Sequence, residues 1–212
     1  MDGYAPLELL DLADWRRRVA ELYAEVRRRS ATDPEAAWRL WRTERERLYR
    51  DHPQSPVPAA ARASFVAVAF PYDPRLRLAS RLVPGASPPE TSPLALPSSG
   101  VTVPPMRRLG TVELSLPGGP ASLSVFWLQE YSGGVFIPFR DATSGVETYG
   151  AGRYLLDTAK GADLGLDHEG RLILDLNFAY LPSCAFDPRW ACPLAPPENR
   201  IAARVEAGER IA

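Results

Sequence analysis

Two hydrophobic periods divide the chain. Between residues 7 and 51, Leu12, Trp15, Val19, Leu22, Tyr23 and Val26 recur at helical spacing, with arginines on the opposite face. A second helix is predicted from Asp33, a suitable N-cap, and Pro34, a suitable first helical residue. Trp38, Trp41, Leu48 and Tyr49 give that helix an aromatic stripe. The tryptophans are expected to dock the helices onto a sheet, with ligand stacking as the alternative. Arg45, Glu46 and Arg47 are expected on a solvated face. The helix should end at His52-Pro53, because a proline disfavours helix in the residue before it.

Residues 53–62 are rich in Pro and Ala and read as a connector. Phe65–Phe70 reads as a short apolar strand, after which Pro71–Arg77 turns the chain. Residues 84–100, PGASPPETSPLALPSSG, form a loop, or alternatively an interdomain linker. From Val101 the period becomes two. Val112, Leu114 and Leu116 alternate with Thr111, Glu113 and Ser115, and the PGG at 117–119 makes a turn. Leu123, Val125 and Trp127 follow, then a turn at Ser132-Gly133-Gly134 and a run through Val135, Ile137 and Phe139. Further strands are predicted at Tyr154–Thr158, at Leu172, Leu174 and Leu176 after the turn Asp167–Gly170, and at Ile201, Ala203 and Val205. Helices first and strands after predict an α+β fold. An N-terminal helical hairpin over 7–51 packs on an antiparallel β-barrel or strongly bent sheet over 63–206, in a single domain spanning 1–212.

Composition narrows the class. The 212 residues are 45% hydrophobic and 24% charged, ordinary values for a globular protein. The net charge of −1 creates no field for nucleic acid or an anionic membrane, so neither is an expected partner. Of 25 basic residues only Lys160 is a lysine, and so general a bias makes a single arginine a weak signal. The start MDGYAPLELLDLADW has no basic segment or long apolar run, and no window approaches the roughly 18 apolar residues of a membrane span. A cytoplasmic location is expected. Two cysteines are too few for a disulfide-built scaffold.

The densest chemistry lies in PFRDATSGVETYGAGRYLL, residues 138–156. Arg140 and Arg153 stand at the two ends of one glycine-bearing connection. Their guanidinium groups are expected to reach a common concavity and hold a carboxylate or phosphate by bidentate hydrogen bonds. Asp141 would orient one arginine or act as acid or base. Thr143 and Ser144 would add hydroxyls, and Gly145, Gly150 and Gly152 would let main-chain N–H groups approach an anion. The competing reading is a scaffold: Arg140 pairs Asp141 or Glu147, and the hydroxyls cap turns. The glycine spacing matches neither a Rossmann fingerprint nor a P-loop, and Ser144 lies outside a nucleophile elbow. No motif specifies a reaction.

Residues 177–199 hold five prolines, two cysteines and almost no periodicity, which points to a functional or mobile stretch. Cys184 and Cys192, with seven residues between them, are expected to lie near one another. They read as reduced structural thiols, as a disulfide or redox pair, or as metal ligands with His52 as third. For His52 the alternative is a hydrogen-bonding residue at a helix end. His168, in a charged turn, is expected to be exposed.

PFRDATSGVETYGAGRYLL, followed by LDLNFAYLPSCAFDPRWACPLAPPENR, resembles a bacterial and archaeal family known only as domain of unknown function sixteen-eighty-four. LYRDHPQSPVP resembles that family's segment after its N-terminal helices, so the resemblance runs from about residue 11 onward. The matching polar positions are His52, Ser55, Arg140, Asp141, Thr143, Ser144, Gly145, Thr148, Tyr149, Gly150, Arg153, Asn177, Tyr180, Cys184, Cys192 and Asn199. Leu181-Pro182-Ser183 replaces a more proline-rich lead into the first cysteine. The resemblance implies no activity, since none is established for the family.

Three functions compete. The first is a small-molecule binding protein or enzyme. An anion would sit between Arg140 and Arg153, with Asp141 and Tyr149 as candidate catalytic groups. Asn177 and Tyr180 would add neutral hydrogen bonds beside those of Tyr149. The second is a flavin-dependent oxidoreductase of split-barrel type, which rests on fold analogy alone. The third is a non-catalytic interaction or scaffold protein.

Overall fold

The computed structural model describes residues 6–85, 98–99, 105–129 and 133–211. Helices α1 (Pro6–Ser30) and α2 (Pro34–Asp51) make the N-terminal hairpin. The Asp33 carboxylate caps α2 by accepting from the Ala36 N–H at 2.9 Å, and Pro34 sits in the first turn. His52 leaves the helical region, with φ −86° and ψ 136°, as the following proline requires. Asp33→Ala should therefore cost about 1 kcal/mol, read as a lower denaturation midpoint at unchanged slope. An unchanged midpoint would show the cap to be dispensable.

Trp38 and Trp41 are buried. Trp41 meets Phe178 edge-on with centroids 5.3 Å apart, and the Trp38 indole N–H donates to the Asn177 carbonyl at 3.0 Å. The aromatic stripe thus first contacts the 3-10 turn Leu176–Phe178, and one continuous core runs from there to the sheet residues. One expectation for α2 is corrected. Arg45 is not on a solvated face; it is buried and ion-paired with Glu209 near the other end of the chain. The connector holds a short helix, α3 (Ala59–Arg62).

The strands are β1 (Arg77–Ser80), β2 (Val83–Pro84), β3 (Met106–Leu116), β4 (Gly119–Leu128), β5 (Gly134–Phe139), β6 (Arg153–Asp157) and β7 (Leu172–Asp175). β2 to β6 form an antiparallel meander in chain order, while β1 pairs with β7 in a separate two-stranded sheet. Val112, Leu114 and Leu116 face the core and Glu113 and Ser115 face out, as the alternation predicts. Trp127 departs from it. It is 40% exposed and Phe126 is buried instead, opposite a bulge in β3 between Arg108 and Gly110.

The fold is α+β. Its sheets are not closed into a barrel among the described residues. Two predicted strands are absent. Phe65–Phe70 makes one bridge, Ala69 to Glu209, and no strand. Ile201–Val205 is irregular, held by Ile201 N–H to the Arg140 carbonyl and by Ala142 N–H to the Ala203 carbonyl. Both runs have an apolar pattern but pair with non-repetitive chain, so no ladder propagates. Most of the predicted loop 84–100, the start of the alternation at Val101, and Ser132 of the second hairpin turn lie outside the described residues. Among the described residues, no helix is long and apolar enough to cross a membrane.

Candidate site at the Arg140–Arg200 cleft

Phe139 on β5 and Arg153 on β6 are register partners. Side chains alternate along a strand, so Arg140, the next residue, turns to the other face. This separates the two arginines. Arg153 is fully buried, its guanidinium 5.1 Å from the centre of the Phe139 ring. Nη2 donates to Asp141 Oδ1 at 3.2 Å and to the Val205 carbonyl at 2.9 Å. Nη1 donates to the carbonyls of Ala207 and Glu209. Burial lowers the Arg153 pKa, and the Asp141 carboxylate opposes that shift. Gly152 makes the approach possible: its φ is +102°, and a Cβ there would lie 2.4 Å from the Phe139 carbonyl oxygen.

Asp141 is equally enclosed. Its carboxylate accepts from the Thr143 N–H at 3.1 Å, the Thr143 hydroxyl at 2.9 Å and the Val205 N–H at 2.7 Å, besides Arg153. Ser144 Oγ lies 3.4 Å from the same carboxylate and accepts from the Asp141 N–H. Thr143 and Thr148 share a hydroxyl contact at 3.0 Å. Gly145 and Gly152 spend their N–H groups on Thr148 and Tyr149 carbonyls within the turn. These groups stitch the turn to the 205–209 segment. The expected meeting of Arg153 with Arg140 does not occur, because both terminal nitrogens of Arg153 are bonded to Asp141 and to carbonyls of the 205–209 segment. Nor does Arg140 pair with Asp141 or Glu147; Glu147 pairs with Arg204.

Arg140 has a different neighbour. It is exposed, and its backbone joins the segment after Asn199: its N–H donates to the Asn199 carbonyl at 2.9 Å and its carbonyl accepts from Ile201 at 2.8 Å. This parallel bridge sets Arg140 beside Arg200, and both line a cleft of about 520 Å³. Gly150, Ala151 and the stretch Leu194–Pro197 complete its wall. Among the described residues, neither guanidinium has a hydrogen-bond or ion-pair partner, whereas most other arginines of the chain have one. Asn199 anchors the bridge from beneath. Its side-chain amide donates to the Ser124 and Pro138 carbonyls at 2.9 and 2.7 Å and accepts from Ser124 N–H at 2.7 Å.

The other predicted site residues are dispersed. Asn177 is fully buried and braces Asp73 and Asp175. Tyr180 is buried with the Arg45 guanidinium 4.6 Å from its ring centre, and burial raises its pKa well above the usual value. His52 lies at the end of α2, within 3.2 Å of Asp14 through Nε2, and its Nδ1 accepts from the Gln54 N–H. Among the described residues no group of three His, Cys, Asp or Glu side chains is placed to hold a metal, so His52 does not join the cysteines. Cys184 and Cys192 do come together, as free thiols, with the Cys184 N–H 3.3 Å from Cys192 Sγ. Tyr149 is half-buried; burial first, and the neighbouring Cys184 after it, push its hydroxyl up to about 12. It therefore belongs to the thiol pair, although Gly150 beside it lines the arginine cleft.

Arg200 was the residue hidden in the sequence. It follows a Pro-Pro-Glu-Asn run with no periodicity, and its position is decided by the bridge to Arg140. Asn199, next to it, was the legible part of that signal.

Residues 64–210 match the model of a family described as "Protein of unknown function (DUF1684)". The chain is also similar to an uncharacterised protein of Haloarcula marismortui whose structure was solved by solution NMR. The identity is 29% and the TM-score 0.61, over 86% of this chain and 96% of that one. No curated protein matches the chain.

Proposed function

The chain belongs to the family of unknown function DUF1684, and we propose that it binds a small anionic molecule in the cleft between Arg140 and Arg200. One observation carries this reading. Two exposed arginines, bridged through their backbones and without a side-chain partner among the described residues, line one cleft of about 520 Å³ whose described lining holds no carboxylate. Two like charges so placed repel, and a carboxylate or phosphate between them relieves the repulsion and accepts from both forks. The volume falls in the range of small-molecule sites. Leu194, Ala195 and the two prolines offer an apolar wall for the body of a ligand. Among the described lining residues only the arginines carry charge, and a guanidinium offers donors and no acceptor. The lining therefore favours binding over acid–base chemistry. The open sheet gives the split-barrel flavin reading no added support.

Titration calorimetry with inorganic phosphate and with di- and tricarboxylates tests the proposal. Arg140→Ala and Arg200→Ala should each weaken binding about 10–100-fold, the worth of one charge-assisted contact. Both should leave the melting temperature nearly unchanged, since neither side chain has a hydrogen-bond or ion-pair partner among the described residues. Absence of any anion response in the wild type, or full binding by the double variant, would overturn the reading.

A further inference from the structure

We propose that Cys184 and Cys192 form a dithiol that a hydroperoxide oxidises to an intramolecular disulfide. The proposal is independent of the anion cleft. Cys184 sits in the 3-10 turn Ser183–Ala185, and Cys192 lies on the return of the same loop. The Cys184 N–H points at Cys192 Sγ at 3.3 Å, which sets the two cysteines against one another. The return is fixed by Ser99: its Oγ accepts from the Cys192 N–H at 2.9 Å, and its N–H donates to the Cys192 carbonyl at 3.1 Å. The thiols are therefore held in register by backbone contacts before any bond forms.

Their surroundings differ from those of inert structural cysteines. The Cys192 side chain first, and those of Ser99 and Tyr149 after it, pull the Cys184 thiol down to about 6, while Cys184, followed by burial, pushes Cys192 up. The pair is thus polarised, with Cys184 the more acidic thiol and Cys192 the less acidic one. Cys192 also lines a separate cleft of about 210 Å³, together with Lys160 and Arg16. A small neutral oxidant thus has a route to the Cys192 side of the pair, where the Lys160 cation favours negative charge on the Cys192 sulfur.

The chemistry balances with the hydroperoxide as oxidant. The Cys184 thiolate attacks the terminal peroxide oxygen. The O–O bond breaks, an S–O bond forms, and the leaving hydroxide or alkoxide takes a proton to become water or alcohol. Cys192 then loses its proton and attacks the Cys184 sulfur of the sulfenic acid. The S–O bond breaks, the S–S bond forms, and water leaves. Two thiols have been oxidised and one peroxide reduced.

Treating the reduced full chain with hydrogen peroxide tests this. Thiol titration under denaturing conditions should show loss of both thiols, and the intact monomer should be lighter by the mass of two hydrogen atoms. Cys192→Ser should stop at a sulfenic acid on Cys184 that a dimedone probe captures. The rate in wild type should rise with pH and level off above about 6, following the Cys184 thiolate. Tyr149→Phe, which removes only a positioning hydroxyl, should move that midpoint upward and serves if a cysteine variant fails to fold. Thiols that survive treatment, a disulfide that joins two chains, or addition of oxygen without loss of hydrogen would each overturn the proposal.

Discussion

Arg153→Ala is expected to destabilise the protein by about 3–5 kcal/mol, because it leaves the Asp141 carboxylate buried without its counter-charge. Both side chains of the pair are fully enclosed, so no solvent replaces the lost partner. The damage does not stop at one ion pair. The carbonyls of Val205, Ala207 and Glu209 all lose their guanidinium donor. These carbonyls belong to a segment without regular structure, so no strand ladder replaces the lost donors. The Phe139 ring also loses the cation over its face. Urea denaturation followed by tryptophan fluorescence measures the loss. A second variant separates charge from packing: Arg153→Met with Asp141→Asn should be less costly than the sum of the single changes, since neither buried charge then remains alone. A loss below about 1 kcal/mol for Arg153→Ala would mean that the guanidinium does not hold this segment.

Glu209→Ala should cost a similar amount, about 3–5 kcal/mol, for the mirror-image reason. Here the stranded group is the Arg45 cation. Its guanidinium carbon lies 4.5 Å from the Tyr49 ring centre and 4.6 Å from that of Tyr180. Burial alone would lower the Arg45 pKa, and the Glu209 carboxylate raises it instead. Without that carboxylate the cation keeps only its aromatic faces, each worth on the order of 2 kcal/mol when desolvated. The Leu181 N–H, which donates to Glu209 at 2.8 Å, loses its acceptor as well. The effect should spread, because this pair ties α2 to the end of the chain, and Glu209 bridges to Ala69 through its backbone. Limited proteolysis should show earlier cleavage after the 199–211 segment loosens. Arg45→Met combined with Glu209→Leu should recover most of the loss. If the single variant unfolds at the wild-type midpoint, the tie is not what holds the segment.

The two pairs share a design. Each uses a long, always-charged side chain from regular structure to capture carbonyls or a carboxylate of the irregular C-terminal run. That run cannot hold itself by a ladder, because Ile201–Val205 pairs with a turn instead of a strand.

The elements readable along the chain were those whose causes are local. Asp33, Pro34 and His52-Pro53 bound α2 through capping and proline sterics, which act over a few residues. The alternation of Val112, Leu114 and Leu116 names the buried face of β3, and the PGG turn at 117–119 joins it to β4, because a hairpin register is set by its own loop. The proximity of Cys184 and Cys192 was similarly within reach, since a short proline-rich loop returns on itself. Everything that depends on a distant partner was decided by tertiary structure. Apolar alternation at Phe65–Phe70 and Ile201–Val205 looks like strand, but a strand needs a partner of matching regularity, and neither run meets one. Arg45 carries the same charge pattern as its solvated neighbours, and only Glu209, 164 residues away, brings it inside. Arg140 and Arg153 are alike in sequence. The pairing of Phe139 with Arg153 puts one in the core and the other on the surface, and a bridge from the far C-terminal segment supplies Arg200. Local chemistry dictates how a segment bends and which side is apolar; which other segment it meets is a long-range choice, and both the scaffold ion pairs and the candidate cleft arise from that choice.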